Sequence, residues 1–94
     1  MAKSNQPGAR SRARELIVQS LYQIQITGHD EAELKSQVHE RSDYQRVDQQ
    51  YYDDVLSAII NRQAELEVSI DKLADRPVAN LDPIEKSILL LGFH

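Results

Sequence analysis

The sequence predicts an all-α fold, and three observations carry that prediction. Apolar residues recur at helical spacing in four separate segments. Aspartates suited to N-capping stand before three of them, at Asp30, Asp48 and Asp82. Only three glycines (Gly8, Gly28, Gly92) and three prolines (Pro7, Pro77, Pro83) are present, too few turn formers for a many-stranded chain. The length, 94 residues, amounts to one small domain.

Residues 1–9 are small, polar and unpatterned, and predict a disordered basic arm. The first helix is expected from Arg10 to Thr27. Ala13, Leu16, Ile17, Ser20, Leu21 and Ile24 form its buried face, and Gly28 supplies a left-handed C-terminal cap. A second, short surface helix starts at Asp30, with Glu33 completing a capping box, and runs to about Arg41. Ser42 to Val47 reads as a loop. The third helix is capped by Asp48, with Val47 and Tyr52 placed as a hydrophobic staple. Tyr52, Val55, Leu56, Ile59, Ile60, Leu66, Ile70 and Leu73 keep one stripe until Pro77 stops the helix, Arg76 being pushed out of helical geometry. The fourth helix opens on Asp82-Pro83-Ile84-Glu85, each residue suited to its place in the first turn. Ile84, Ile88, Leu89, Leu90, Leu91 and Phe93 make it apolar nearly all round, which predicts burial on most sides.

Composition removes several functional classes. The chain has no cysteine, so it offers no disulfide, zinc knuckle or cysteine nucleophile. Its longest aliphatic run, Ile88 to Leu91, is far short of the ~20 apolar residues that span a bilayer. The polar, basic stretch Met1 to Arg14 is no secretory signal, and the reading is a cytoplasmic, soluble protein without membrane attachment. No phosphate loop or hydrolase motif occurs. His29, His39 and His94 do not converge, and Asp53 and Asp54 diverge by ~100° around their helix. No enzyme, metal site or cofactor is expected.

Charge is the informative feature. Four of the eleven basic residues, Lys3, Arg10, Arg12 and Arg14, precede the first acid, Glu15. The rest sets seven bases against fifteen acids, a balance of −8 within a total of −4. A basic front on an acidic body suggests one polyanion-binding spot, or else a solvated tail. A second row on the first helix, Arg10, Arg14, Val18, Tyr22 and Ile26, runs at i+4 spacing. Its arginines can pair with phosphates bidentately and its tyrosine can stack on an unpaired base. Packing of Val18, Tyr22 and Ile26 on another helix fits the row equally.

Three segments in order, RSRARELIVQSLYQ from Arg10 to Gln23, VDQQYY from Val47 to Tyr52 and LDPIEKSILLL from Leu81 to Leu91, resemble the NusB family of bacterial transcription antitermination factors. Arg76-Pro77 before the fourth helix adds to the likeness, which extends from about Arg10 to His94. The resemblance implies two small helical bundles packed together, with residues 10–75 as the first. Residues 76–94 would be a linker and the opening helix of a second, so the chain is expected to be C-terminally truncated. It further implies binding of the boxA element of nascent RNA as a heterodimer with NusE, a small-subunit ribosomal protein. The RNA polymerase elongation complex, notably on ribosomal RNA operons, would be the wider partner. Arg10, Arg12 and Arg14 match the family's arginine-rich RNA-binding motif, with Ser11 where some members carry another arginine. Tyr22 matches a tyrosine near both RNA and NusE, and Glu85 an acidic position on the NusE-facing side. An exposed fourth helix would favour self-association. Two other readings stay open: the N-terminal RNA-binding module of a ribosomal-RNA cytosine methyltransferase, and a helical module that binds protein alone.

Overall fold

A computed structural model describes residues 8–73 and 81–94. Within them five α-helices follow one another: α1 (Ala9–Thr27), α2 (Glu31–His39), α3 (Gln49–Asn61), α4 (Gln63–Leu73) and α5 (Pro83–Phe93). A 3₁₀ turn, Ser42–Arg46, joins α2 to α3. Helix α1 is central: α2, α3 and α5 all pack on it, while α4 packs against α5. The expected basic arm, up to residue 7, and the Arg76-Pro77 stop lie outside the described residues.

The expected helix starts are present. Asp30 Oδ1 accepts the Glu33 amide at 2.8 Å, and Glu33 Oε1 accepts the Asp30 amide at 3.2 Å. Asp82 and Glu85 repeat this reciprocal box at 2.8 and 3.3 Å, with Pro83 at the first helical position. Asp48 Oδ1 accepts the Tyr51 amide at 3.1 Å and starts α3. Gly28 takes φ +76°, a left-handed conformation open to glycine without steric cost, and its N–H closes α1 on Ile24 O at 3.0 Å.

The predicted face of α1 is the face it buries. Ala13, Leu16, Ile17, Ser20 and Leu21 are buried, with Ile24 against them. Leu34 and Val38 bring α2 into the same core, Tyr52, Leu56 and Ile59 bring α3, and Leu66 and Ile70 bring α4. Leu90 adds α5. Two polar locks cross this core. The Ser20 and Tyr52 hydroxyls share a buried hydrogen bond of 2.7 Å between α1 and α3. Gln25 Nε2 donates to Ser87 Oγ at 2.7 Å and to Pro83 O at 3.2 Å, tying α1 to the first turns of α5.

Five expectations need correction. Helix α2 ends at His39, not near Arg41. The segment read as a loop is a 3₁₀ turn that buries Tyr44 and Val47. The Tyr44 ring stacks on His39 at 4.7 Å and meets Tyr52 edge-on at 5.8 Å, and its hydroxyl donates to Asp53 Oδ2 at 3.3 Å. One aromatic side chain thus ties the turn to the core, too short a signal for periodicity. The single long third helix is interrupted at Arg62, where φ −109° and ψ 12° leave helical values. Asn61, a weak helix former, sits at the break, and the ladder resumes when the Leu66 N–H reaches Arg62 O at 3.0 Å. The stripe keeps its phase across one interrupted residue, so spacing cannot reveal the bend. Leu73, expected on that stripe, is exposed. Helix α5 is buried at Leu90, yet Ile84 and Ile88 are 45% and 53% exposed, because among the described residues it packs mainly against α1 and α4.

Two outcomes follow for stability. Tyr52→Phe leaves the Ser20 hydroxyl without its buried partner and should cost about 1–2 kcal/mol in urea denaturation. Ser20→Ala should cost a similar amount, and the double variant clearly less than the sum; strict additivity would show that the hydroxyls are not coupled. Burial pushes the Tyr44 and Tyr52 phenols up from their usual value, with the neighbouring Asp53 charge adding to both. Unfolded tyrosines ionise near pH ~10 while these two stay protonated, so unfolding releases protons and stability should fall as pH rises past ~10. Ultraviolet difference titration of Tyr44→Phe and Tyr52→Phe variants against the unaltered protein should assign the late-ionising phenols to these two residues.

Candidate nucleic-acid interface

At ~100° per residue, Arg10 and Arg14 share a flank of α1 and Arg12 points to the other side. The structure separates them accordingly. Arg10 lies over the ring of Tyr51 with its guanidinium carbon 4.6 Å from the centroid, and Arg14 lies 5.7 Å from the same centroid. Two cations therefore share one aromatic side chain, an attraction of about 0.5–1 kcal/mol for each exposed pair. Arg10 Nη2 also donates to Asp48 Oδ2 at 3.1 Å. Asp48 in turn donates its own N–H to Ala9 O at 3.1 Å. The front of α1 is thus pinned to the front of α3, and both Arg10 and Arg14 are exposed.

Arg12 lines a different groove, of about 270 Å³, between α1 and the 3₁₀ turn, together with Glu15, Gln19, Arg41, Asp43 and Arg46 over a floor of Leu16 and Val47. Arg41 holds Asp43 through two hydrogen bonds, 3.0 Å from Nε and 2.9 Å from Nη2. Those bonds, with the nearby Arg41 and Arg46 charges, keep the Asp43 carboxyl below the usual carboxylate range.

Tyr22 stands apart from Arg10, Arg12 and Arg14 but shares a groove with Arg41. It is half-buried on the wall of a groove of about 530 Å³ with Val18, Leu34, Val38 and Ile84, and Gln19, Gln23 and Gln37 at the polar margin. The i+4 row that linked it to Arg10 and Arg14 winds round α1, because four residues overshoot a full turn by ~40°. Glu85 sits one residue beyond Ile84, its carboxylate turned to the Asp82 amide in the capping box. Tyr22 thus faces α2 and the start of α5, whereas Arg10 faces α3 and Arg14 lies between Tyr51 of α3 and a groove reaching Leu91 of α5. Sequence reasoning missed Tyr51, Arg41 and Arg46. Tyr51 lay in plain view in VDQQYY, but only the cap and staple of that segment were legible. Among the described residues, no group of three or more histidines, cysteines or carboxylates could hold a metal ion, and no helix is long and apolar enough to cross a membrane.

Residues 11–94 match the NusB family model. The chain belongs to the NusB family. It is 36% identical to the transcription antitermination protein NusB of Ralstonia nicotianae over 98% of this chain and 59% of that protein. It is 38% identical to the NusB of Halorhodospira halophila over the same shares, and 36% identical to that of Nitrosomonas europaea over 90% of this chain and 51% of that protein. The chain thus spans somewhat more than half the length of these NusB relatives. The match takes in α1 with Arg12, Arg14 and Tyr22, the Asp48–Tyr51 cap and Glu85, and stops one residue short of Arg10.

Asp48 is the residue on which this NusB front depends. Asp48→Ala should destabilise the fold by about 1–2 kcal/mol, mostly through removal of the cap. Asp48→Asn, which can still cap, should cost less than half of that, because the ion pair to exposed Arg10 contributes little. Equal losses for the two variants in thermal melts would show that the cap is not the larger part.

Proposed function

We propose that this chain is the RNA-gripping front of a transcription antitermination factor, a non-enzymatic cytoplasmic adaptor that binds boxA RNA together with NusE. The observation that carries the reading is the pair Arg10 and Arg14 held over Tyr51 at the leading end of α1, within a family whose relatives bear the antitermination name. Arg10, Arg12 and Arg14 contact phosphates, for which a guanidinium fork is suited. Tyr22 offers an aromatic surface to RNA or NusE beside Ile84, and Glu85, next in sequence in the first turn of α5, serves the protein partner. Ribosomal proteins of the NusE kind are basic, so the −8 body complements them and speeds encounter. In this reading residues 10–75 form the first bundle, α5 opens a second, and the RNA–NusE assembly acts on the RNA polymerase elongation complex, notably at ribosomal RNA operons.

The test is fluorescence anisotropy with boxA RNA, with and without NusE, across a salt series. The three phosphate contacts of Arg10, Arg12 and Arg14 contribute about −2 to the log–log slope, from about 0.7 per phosphate on single-stranded RNA. Replacing Arg10, Arg12 and Arg14 by alanine should flatten that slope and weaken binding by more than tenfold. An unchanged affinity would remove the arginines from the interface.

A further inference from the structure

We propose that the groove between α1 and the 3₁₀ turn, walled by Arg12, Arg41 and Arg46, is a second phosphate-binding track, carrying the RNA strand round the front of α1 to the flank opposite Tyr51. The inference rests on the RNA-binding reading above and adds to it residues that lie outside the arginine-rich segment.

Three observations carry it. Three guanidinium groups from separate points of the chain border one groove of about 270 Å³, in a molecule whose charge beyond Arg14 is strongly negative. Among the described residues that line it, two carboxylates, Glu15 and Asp43, stand with the three arginines. Secondly, Arg41 already grips a carboxylate with two parallel N–H bonds. That is the geometry a guanidinium uses for a phosphate, and Asp43 is an exposed partner whose place a phosphate can take. Thirdly, Arg12 joins the two basic sites. It stands two residues from Arg10 and two from Arg14, yet about 200° round the helix from Arg10. A small anion would need only one flank, whereas a strand passing over the first turn of α1 meets Arg10 and Arg14 on one side and Arg12, Arg41 and Arg46 on the other. The groove floor, Leu16 and Val47, is buried core, so the arginines stand on a fixed base.

Single-stranded boxA RNA, end-labelled, is the probe, titrated against the protein with NusE by anisotropy at several salt concentrations. Arg41→Gln/Arg46→Gln should weaken binding about three- to tenfold and lower the salt slope by about 0.7 for each phosphate no longer neutralised. Arg46→Gln alone, which leaves the Arg41–Asp43 pair intact, should give a smaller change in the same direction. Asp43→Asn, which frees Arg41, should tighten binding by about threefold. A purely structural role for the turn predicts the reverse for Asp43→Asn, since that substitution could then only loosen the turn. If Arg10→Gln/Arg14→Gln weakens binding while Arg41→Gln/Arg46→Gln changes neither affinity nor slope, the track is overturned and the RNA reading stands. If the unaltered protein binds no RNA with NusE present, both fall. Displacement of the RNA by inorganic phosphate at equal phosphate concentration would overturn the track in favour of a small-anion site.

Discussion

The Asp48 side chain holds two helices by their leading ends. One oxygen accepts the Tyr51 amide and starts α3, the other accepts the Arg10 guanidinium of α1, and the Asp48 N–H closes on Ala9 O. The covalent neighbours of Asp48 add to this: Val47 is buried in the core, and Tyr51 and Tyr52 follow on the first turn of α3. Fixing that junction fixes the rotation of α3, so that Tyr52 points inward to Ser20 while Tyr51 points to the flank where Arg10 and Arg14 lie. Adjacent helical residues diverge by ~100°, so one anchored turn sends one ring to the core and the other to the arginine-bearing flank. Core packing and display of the arginines thus have a common origin.

Behind this junction the helices are kept in register by polar groups as well as by apolar burial. An apolar face alone tolerates sliding, because many packings of leucine and isoleucine have similar energies. The Ser20–Tyr52 and Gln25–Ser87 bonds do not, because a shifted helix would leave buried hydroxyls and an amide without partners at a cost of about 1–3 kcal/mol each. Ser20 and Ser87 are small enough for close helix approach and polar enough to punish the wrong one. Both lie on α1 or on a helix packed against it, which makes α1 a rigid mount for whatever its front end carries.

Much of the fold was legible because its signals are local. An aspartate three residues before a glutamate, a proline at a helix start, a glycine past a helix end and apolar residues at i, i+3 and i+4 each state their structure within one or two turns. The break at Arg62 and the 3₁₀ turn were not legible, since one interrupts a helix without shifting the phase of its stripe and the other depends on Tyr44 finding two aromatic neighbours. The site was half legible for a similar reason. Spacing along α1 groups Arg10 with Arg14 and sends Arg12 elsewhere, but the ring they share comes from 37 residues after Arg14, and Arg41 and Arg46 come from a segment with no pattern of its own. Tyr22 shows the limit of an i+4 row: over three steps it turns by roughly 120°, enough to carry the residue from one interface to another.

The electrostatics of the molecule follow from where its arginines are tied. Long cationic side chains on a tail lose about 2 kcal/mol of rotamer freedom each when they grip a ligand. Arg10 and Arg41 have given up part of that freedom already, one to Asp48 and Tyr51 and the other to Asp43. Under the proposed function, an arriving phosphate would meet guanidinium groups in place and face two different costs. At Arg10 the carboxylate is also a helix cap, so it stays and the phosphate must take the remaining donors. At Arg41 the carboxylate lies on an exposed turn and can yield. The acidic body behind them repels polyanions, which under the proposed function would concentrate RNA on these few groups and leave the remaining surface to partners of the opposite charge.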